Sequence, residues 1–365
     1  MSLSIGIAGL PNVGKSTLFN ALTKKSVPAD NYPFCTIDPS VGIVPVPDGR
    51  LDILAKMSSS AKIIPAVVEF VDIAGLVKGA SQGEGLGNAF LSHIRETDAI
   101  AQVVRIYENN DLIHVEGSID PLRDIEIINM ELILADLQTV DKRINTIERD
   151  VKRGDANAIK LKELLQRLKV ILEEEKLANS LPFSNEELNL VRELHLITMK
   201  PFLYVLNKEH GGKNLDEVYD ERFLKLLDYF KNNQCHYVIV DAKIEDELKD
   251  FEGEEKEIMR SELGVEDNGV NALIKAGYDI LGLESYLTTG ESETRAWTIK
   301  KGSTAPRAAA AIHTDFEQKF IRAEVVSYQD LVDAGTFSEA KARGKVRIEG
   351  KEYHVQDGDV IEFKI

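Results

Sequence analysis

Cysteine is scarce in this sequence, and long apolar runs are missing from it. The 365 residues include two cysteines, Cys35 and Cys235, which cannot build the disulfide framework of a small secreted domain. No run approaches the roughly 18 apolar residues that a membrane span needs. The first residues also lack the basic region and apolar segment of a signal peptide. We therefore expect a cytoplasmic protein that does not enter a membrane.

Positive charge is also in deficit. Lysine and arginine number 44 against 61 aspartates and glutamates, which gives a formal net charge of −17. This balance argues against an overall electrostatic attraction to nucleic acid, although a local basic patch would still allow contact. One candidate patch, the tail cluster, consists of Lys341, Arg343, Lys345, Arg347 and Lys351. The alternative for such a run is a solvated charged face.

Short apolar, β-branched runs alternate with helical segments through much of the chain, which predicts a largely parallel α/β sheet. The predicted strands lie at residues 3–9, 40–46, 66–71, 100–106, 202–206 and 237–240. A helix is predicted at about 14–24. From about residue 281, short alternating strands separated by turn residues predict a small β-rich domain.

Residues of about 125–195 show a different pattern, with apolar side chains at alternating spacings of three and four. This heptad seam breaks at residues 152–156 and then resumes, which predicts an inserted antiparallel helical hairpin. The hairpin is either an arm that touches a partner or an insert that packs on its host. The seam consists of Met130, Ile133, Leu137, Val140, Ile144, Ile147 and Val151, followed by Leu161, Leu165, Leu168 and Leu172.

The segment from Gly9 to Ser16 reads GLPNVGKS and matches the phosphate-binding pattern GxxxxGK[ST]. It follows an apolar run and opens a helical one, as the motif requires. Glycines let the backbone wrap closely around phosphate oxygens, and the helix N-terminus attracts the anion. Lys15 would neutralise the β- and γ-phosphates, and the Ser16 hydroxyl would bind Mg²⁺.

Two further positions fit a triphosphate with Mg²⁺. The sequence Asp72-Ile-Ala-Gly75 closes a strand-like run, so Asp72 is expected to hold Mg²⁺ through water and the Gly75 N–H to meet the γ-phosphate. Thr36 lies between this motif and the phosphate loop, where a threonine binds Mg²⁺ only when the γ-phosphate is present. Such a loop acts as a switch.

The residue after Gly75 is Leu76, where Ras-like enzymes place a glutamine that orients the attacking water. Leucine cannot do this, so slow hydrolysis is expected unless another group or a partner helps. His114 is one candidate for that catalytic role, and a structural histidine is the alternative. Asn12 is a candidate ligand for K⁺, with a loop-shaping hydrogen bond as its rival.

The base-recognition segment departs from the guanine-specific pattern NKxD. After an apolar strand the chain reads Asn207-Lys208-Glu209-His210, with histidine where aspartate would accept two hydrogen bonds from guanine. Each unpaired buried donor of guanine costs roughly 1–3 kcal/mol, whereas adenine has no N2 amine to leave unpaired. Asn207 is expected to reach the purine edge, Lys208 to lie along the base, and residues 241–243 to back it.

The motifs together resemble the YchF/Obg-like ATPase family. The resemblance covers essentially the whole chain and includes GLPNVGKSTLFN from Gly9, NYPFCTI from Asn31, DIAGLVKGAS from Asp72 and GEGLGN from Gly83. It continues through HVEG from His114, RAWTI from Arg295 and IHTDFE from Ile312.

This resemblance implies a Ras-like nucleotide-binding domain at residues 1–124 and 197–280, a helical coiled coil inserted at 125–196, and a β-grasp-like TGS domain at 281–365. It implies a preference for ATP over GTP, association with the ribosome or a ribosomal subunit, and a role in translation or stress regulation. We expect a monomer. Matching positions imply nucleotide contacts from Asn12, Val13, Gly14, Lys15, Ser16, Thr17 and Lys208, and Mg²⁺ contacts from Ser16 and Thr36.

The leading functional hypothesis is an Mg²⁺-dependent ATP-hydrolysing switch that acts on a macromolecular partner. A GTPase switch of the Obg type is the nearest alternative. A small-molecule kinase on a P-loop fold is another, but Thr36 together with the Asp72 motif argues against it. A non-hydrolysing nucleotide-binding module is the last alternative.

Overall fold

The computed structural model describes residues 3–23, 40–73, 88–109, 119–251, 253–263 and 269–365. The strands in these ranges are β1 (Ser4–Ala8), β2 (Val41–Pro45), β3 (Ile63–Ile64), β4 (Val67–Asp72), β5 (Ala99–Arg105), β6 (Tyr107–Glu108), β7 (Phe202–Asn207), β8 (Lys213–Asn214), β9 (His236–Val240), β10 (Leu283–Thr289), β11 (Thr294–Lys300), β12 (Arg322–Ser327), β13 (Arg347–Glu349) and β14 (Asp359–Lys364). The α-helices are α1 (Lys15–Thr23), α2 (Arg50–Ser58), α3 (Asn88–Glu96), α4 (Pro121–Lys152), α5 (Ala156–Glu173), α6 (Asn185–Val191), α7 (Glu221–Asn232), α8 (Ala242–Glu247), α9 (Gly253–Glu262), α10 (Gly269–Ile280), α11 (Ala305–Ala309), α12 (Thr314–Gln318), α13 (Tyr328–Ala334) and α14 (Phe337–Ala342).

Six strands form the first sheet, in the order β2-β4-β1-β5-β7-β9. β2 runs antiparallel to β4, and all other neighbours are parallel. The central strands β5 and β7 are buried along their whole length, as expected for strands covered on both faces. The largely parallel sheet predicted from the apolar runs is confirmed. It brings the carboxyl ends of β1, β4, β5 and β7 to one edge.

Helices α4 and α5 form a long antiparallel pair. Asp120 caps α4 through the Arg123 N–H, and Asp155 caps α5 through the Ala158 N–H, so each helix begins at a side-chain cap. The ion pairs Lys162–Glu148 and Lys169–Asp141 show the opposite directions, because seven residues forward along α5 correspond to seven residues back along α4.

The heptad seam packs between these two helices. The first three turns of α4 belong to the main core, which contains Ile125, Ile128 and Leu132. From Ile133 onward the seam residues form a core of their own with α5, and Met130 lies outside it, half-buried. We call residues 133–173 the helical arm. No helix in the described ranges, including the long helix α4, has both the length and the apolar character needed to cross a membrane.

The second sheet joins a segment of the first domain to the C-terminal part of the chain. Its strand order is β13-β12-β14-β10-β11-β3, so a strand from residues 63–64 completes a sheet built mainly from residues 283–364. β3 runs parallel to β11, with Ile63 opposite Thr294. A separate β-rich core lies on one face of this sheet and contains Tyr286, Phe320 and Val325.

Side chains reinforce this contact, which we call the joint. Arg50 on α2 pairs with Asp357 at 2.8 Å. The Ser60 hydroxyl lies 2.8 Å from that of Thr294. Apolar residues from both sides belong to one continuous core, among them Leu54, Leu283, Leu287 and Val360. The residues after 281 are therefore packed against α2 and β3.

Candidate nucleotide-binding site

The loop from Gly9 to Gly14 connects β1 to α1 at the carboxyl edge of the first sheet. Asn12 has a φ of 61° and Gly14 a φ of 97°, values at which a side chain is strained. A Cβ atom on Gly14 would also clash with the Asn207 side-chain nitrogen. The backbone therefore needs glycine here to turn its N–H groups toward an anion at the N-terminus of α1.

Lys15 is the first residue of α1 and is 7% exposed. Its Nζ atom donates a hydrogen bond of 2.6 Å to the Leu10 carbonyl, on the other side of the loop that would enclose a phosphate. Burial lowers the pKa of the Lys15 ammonium to about 8, and the Asp72 carboxylate partly opposes that shift. A bound polyphosphate would favour the charged form of this lysine.

Triphosphate affinity should therefore fall as the pH rises through 8. Below pH 8 the Lys15 ammonium of the free protein is already charged. Above pH 8 the protein must take up a proton in order to bind the triphosphate, so the affinity should fall about tenfold for each pH unit. Titration calorimetry between pH 7 and 9.5 would measure this. The Lys15→Arg variant is the matched control, since arginine stays charged and its profile should be flat. Equal profiles for the two proteins would contradict the assignment.

Ser16 and Asp72 supply oxygen atoms near the same lysine. Ser16 is exposed in the first turn of α1, and Asp72 ends β4 opposite Ile7 in register. The attraction between Asp72 and Lys15 places the carboxylate on the phosphate side of the sheet. A hydroxyl and a carboxylate are the hard oxygen ligands that Mg²⁺ prefers, so these residues fit that ion.

Asn207, at the end of β7, connects two loops. Its side-chain nitrogen donates to the Val13 carbonyl at 2.9 Å, and its side-chain oxygen accepts from the Ala242 N–H at 3.0 Å. The sequence interpretation gave Asn207 a contact with the purine edge. In the structure both atoms of its amide are used inside the protein, where they hold the phosphate loop against the start of α8.

The two carboxylates beside the expected base site already have partners. Glu209 accepts from the Asn109 amide at 3.2 Å and lies 3.8 Å from Lys243. Asp241 caps α8 through the N–H groups of Lys243 and Ile244, and it also accepts from the His210 N–H. The His210 side chain is exposed, and Lys208 lies 3.9 Å from Glu217.

Arg105 was overlooked in the sequence analysis. It lies opposite Asn207 in the pairing of β5 with β7 and is 1% exposed. Its guanidinium carbon is 5.4 Å from the centre of the Tyr107 ring. The available signal was a charged residue in the run 100–106, where Gln102 is the other polar residue, because a buried arginine is rare unless it has a specific role.

Several predicted site residues lie outside the described ranges. They are Thr36, Gly75, Leu76 and His114. The structure thus brings together Asn12 to Thr17, Asp72, Asn207 and Lys208 at one edge of the sheet.

This strand order, with a GKS phosphate loop after β1 and an aspartate at the end of β4, defines a Ras-like P-loop NTPase. Two family models match the chain. One, described as a 50S ribosome-binding GTPase, matches residues 4–136. The other, the YchF GTPase C-terminal model, is described as a protein of unknown function (DUF933) and matches residues 283–365.

Relatives that match along nearly their whole length identify the family. The chain is 53% identical to the "Ribosome-binding ATPase YchF" of Bacillus subtilis, covering 100% of this chain and 99% of the relative. It is 42% identical to "Obg-like ATPase 1" of Gallus gallus, covering 100% and 92%. The solved structure of the Schizosaccharomyces pombe YchF GTPase superposes with a TM-score of 0.87 at 37% identity, covering 100% and 98%. The chain belongs to the YchF family.

Proposed function

We propose that this protein is an Mg²⁺-dependent ATP-binding and ATP-hydrolysing switch that acts on the ribosome in translation or stress regulation. The observation that carries the nucleotide part is the arrangement around Lys15. This buried cation follows the phosphate loop, and the side chain of Asn207 at the end of β7 binds that loop through the Val13 carbonyl. Names of relatives, such as the ribosome-binding ATPase of Bacillus subtilis, support the ribosomal part.

Each part of the site has a proposed task. Lys15 and the loop N–H groups hold the β- and γ-phosphates. Ser16 and Thr36 are proposed as direct ligands of Mg²⁺, and Asp72 is proposed to hold it through water. The bound ion would neutralise charge that develops on the phosphate oxygens. The Gly75 N–H and Thr36 are proposed to sense the γ-phosphate, as the switch requires.

The catalytic part of the proposal rests on the sequence. Leu76 cannot orient water, so intrinsic turnover is proposed to be slow, with His114 as the candidate that assists attack. Asn12, with its φ of 61°, is proposed to coordinate K⁺ beside the phosphates. The C-terminal residues are proposed to form a TGS domain, and the protein is proposed to act as a monomer.

The proposed preference for ATP is supported by the partners of the two carboxylates and by the residue at position 210. Glu209 is held by Asn109, and Asp241 is held by three backbone N–H groups, so both carboxylates are fixed by partners within the protein. His210 occupies the position of the missing aspartate. Guanine would therefore leave its N1–H and N2 donors without a carboxylate partner, whereas adenine lacks the N2 amine.

We expect dissociation constants that favour ATP over GTP by tenfold or more, which corresponds to about 1.4 kcal/mol. The measurement is a titration of nucleotide-free protein with each nucleotide in the presence of Mg²⁺. His210→Asp should shift the ratio toward GTP by about tenfold, because it restores the guanine acceptor. The matched control is His236→Asp, at an exposed histidine on the edge strand β9. A tenfold GTP preference of the unaltered chain would instead favour the Obg-type GTPase.

A further inference from the structure

The distal half of the helical arm has the opposite charge to the rest of the protein. Residues 142–162 contain seven basic and three acidic residues, in a chain whose net charge is −17. We call this segment the arm tip. Its basic residues are Lys142, Arg143, Arg149, Lys152, Arg153, Lys160 and Lys162.

The acidic residues of the arm tip are all engaged within the arm. Glu148 pairs with Lys162 at 2.5 Å, and Asp150 pairs with Arg153 at 3.6 Å. Asp155 is used as the cap of α5. Among the described residues, four cations of α4 have no ion-pair partner, and these are Lys142, Arg143, Arg149 and Lys152.

The tail cluster differs in this respect. Lys341 pairs with Glu324 at 3.0 Å, Arg343 with Glu339 at 2.9 Å, and Lys345 with Asp330 at 3.0 Å. Arg347 also lies 3.6 Å from Asp359. Four of the five cations that suggested a nucleic-acid contact are thus compensated by acidic neighbours. Of these two clusters in the described ranges, the arm tip is the one that keeps several cations without an ion-pair partner.

The geometry of α4 turns this charge outward. Lys142 and Arg149 are seven residues apart, so they lie on one face, and Lys152 is one turn beyond Arg149. The seam residues Val140 and Ile147 point to the opposite side, into the arm core. At 1.5 Å per residue, Lys152 lies roughly 30 Å along the helix from the main core residue Leu132. The tip therefore lies well beyond the main core.

We infer that the arm tip binds ribosomal RNA through its backbone phosphates, an inference that rests on the ribosomal part of the proposed function. Within the arm tip, the outward face of α4 presents Lys142, Asn145, Thr146, Arg149 and Lys152, none of which is apolar. Protein interfaces place aromatic and apolar side chains at their centre. A polar, cationic face instead fits a polyanion, whose phosphates need no matching pocket.

The test replaces Lys142, Arg143, Arg149 and Lys152 with glutamine in the full chain. Glutamine keeps a high helix propensity, and the side chains are outside the arm core, so helicity should be unchanged. We expect affinity for purified bacterial ribosomes, measured by co-sedimentation, to fall at least tenfold. Each lost phosphate contact lowers the slope of log affinity against log salt by about 0.7–0.9, so the slope should fall by roughly three. ATP turnover without ribosomes should not change.

The matched control removes the same charge from the tail cluster, through Lys341→Gln, Arg343→Gln, Lys345→Gln and Lys351→Gln. It should retain ribosome affinity within about twofold. Equal affinity and salt slope for the arm-tip variant and the unaltered chain would overturn the RNA assignment while leaving ribosome binding intact. If the unaltered chain does not sediment with ribosomes, both the RNA assignment and the ribosomal part of the proposed function are wrong.

Protein-free ribosomal RNA distinguishes RNA from the remaining alternative partner, an acidic ribosomal protein. It should compete with ribosomes for the unaltered chain and not for the arm-tip variant. If the variant loses ribosomes although free RNA never competes, an acidic ribosomal protein is the partner, and the RNA assignment is wrong.

Discussion

Replacing Lys15 with alanine is expected to lower triphosphate affinity by about a hundredfold to a thousandfold. The lysine is buried in the phosphate loop, and truncating one side of a buried charge pair costs about 2–5 kcal/mol or more. The loss should be smaller for the diphosphate, because the γ-phosphate charge is then absent. Titration of the nucleotide-free variant with ATP and ADP, in the presence of Mg²⁺, measures both effects.

The control for this experiment is Lys225→Ala. Lys225 lies on α7, with its side chain 65% exposed beside Glu221, so its removal changes the net charge equally without touching the site. Its affinity should match that of the unaltered protein. If Lys15→Ala also bound ATP with unchanged affinity, the loop from Gly9 to Ser16 would not be the phosphate site.

The second large effect is expected for Asn207→Ala. The variant leaves the Val13 carbonyl and the Ala242 N–H without their partners, in a place where both residues are 1% exposed. Each unsatisfied buried group costs about 1–3 kcal/mol, so the free energy of unfolding should fall by about 2–6 kcal/mol. ATP affinity should fall at least tenfold, because the phosphate loop loses its attachment to α8.

Two variants bracket that result. Asn207→Asp keeps the acceptor for the Ala242 N–H but turns a carboxylate oxygen toward the Val13 carbonyl where the residue is 4% exposed, so it should lose at least as much stability as Asn207→Ala in denaturant unfolding. Asn233→Ala removes an exposed amide that donates to the Tyr229 carbonyl, and it should behave as the unaltered chain. If Asn207→Ala unfolds at the same denaturant concentration as Asn233→Ala, the link between the two loops carries no stability.

Most of the first sheet could be predicted from the sequence because each central strand is a predominantly apolar run. Residues 100–106 and 202–206 correspond to β5 and β7, which are buried throughout. The helical arm was predictable for a similar reason, since its seam repeats over several turns. Local patterns of this kind need no knowledge of the partner element.

The missed strands lack such a local signal. β3 has two residues, and it forms because β11 lies beside it, about 230 positions later in the chain. β10, at residues 283–289, was not among the predicted strands, and its sequence LESYLTT does not alternate regularly between polar and apolar side chains. Pairing between distant segments cannot be inferred from the spacing of residues within either one.

The site shows the same division. The phosphate loop and Asp72 were predicted because glycine, lysine and aspartate stand at characteristic distances along the sequence. The partners of Glu209 and Asp241 could not be predicted, since Asn109 comes from a strand end a hundred residues earlier and the cap of α8 depends on local geometry. Arg105 was missed because a single charged residue does not change the prediction of a strand at residues 100–106.

The joint between α2, β3 and β11 bears on how the roles of the protein's regions should be mapped. A chain shortened to residues 1–280 would leave β3 without its neighbour and Arg50 without Asp357, and it would expose Leu54 to water. Such a fragment would lose solubility and nucleotide binding for reasons unrelated to what the missing residues do. Deletion genetics would then credit the C-terminal domain with functions that belong to the first sheet. Single substitutions on its outer surface, away from β10 and β11, would separate the two contributions.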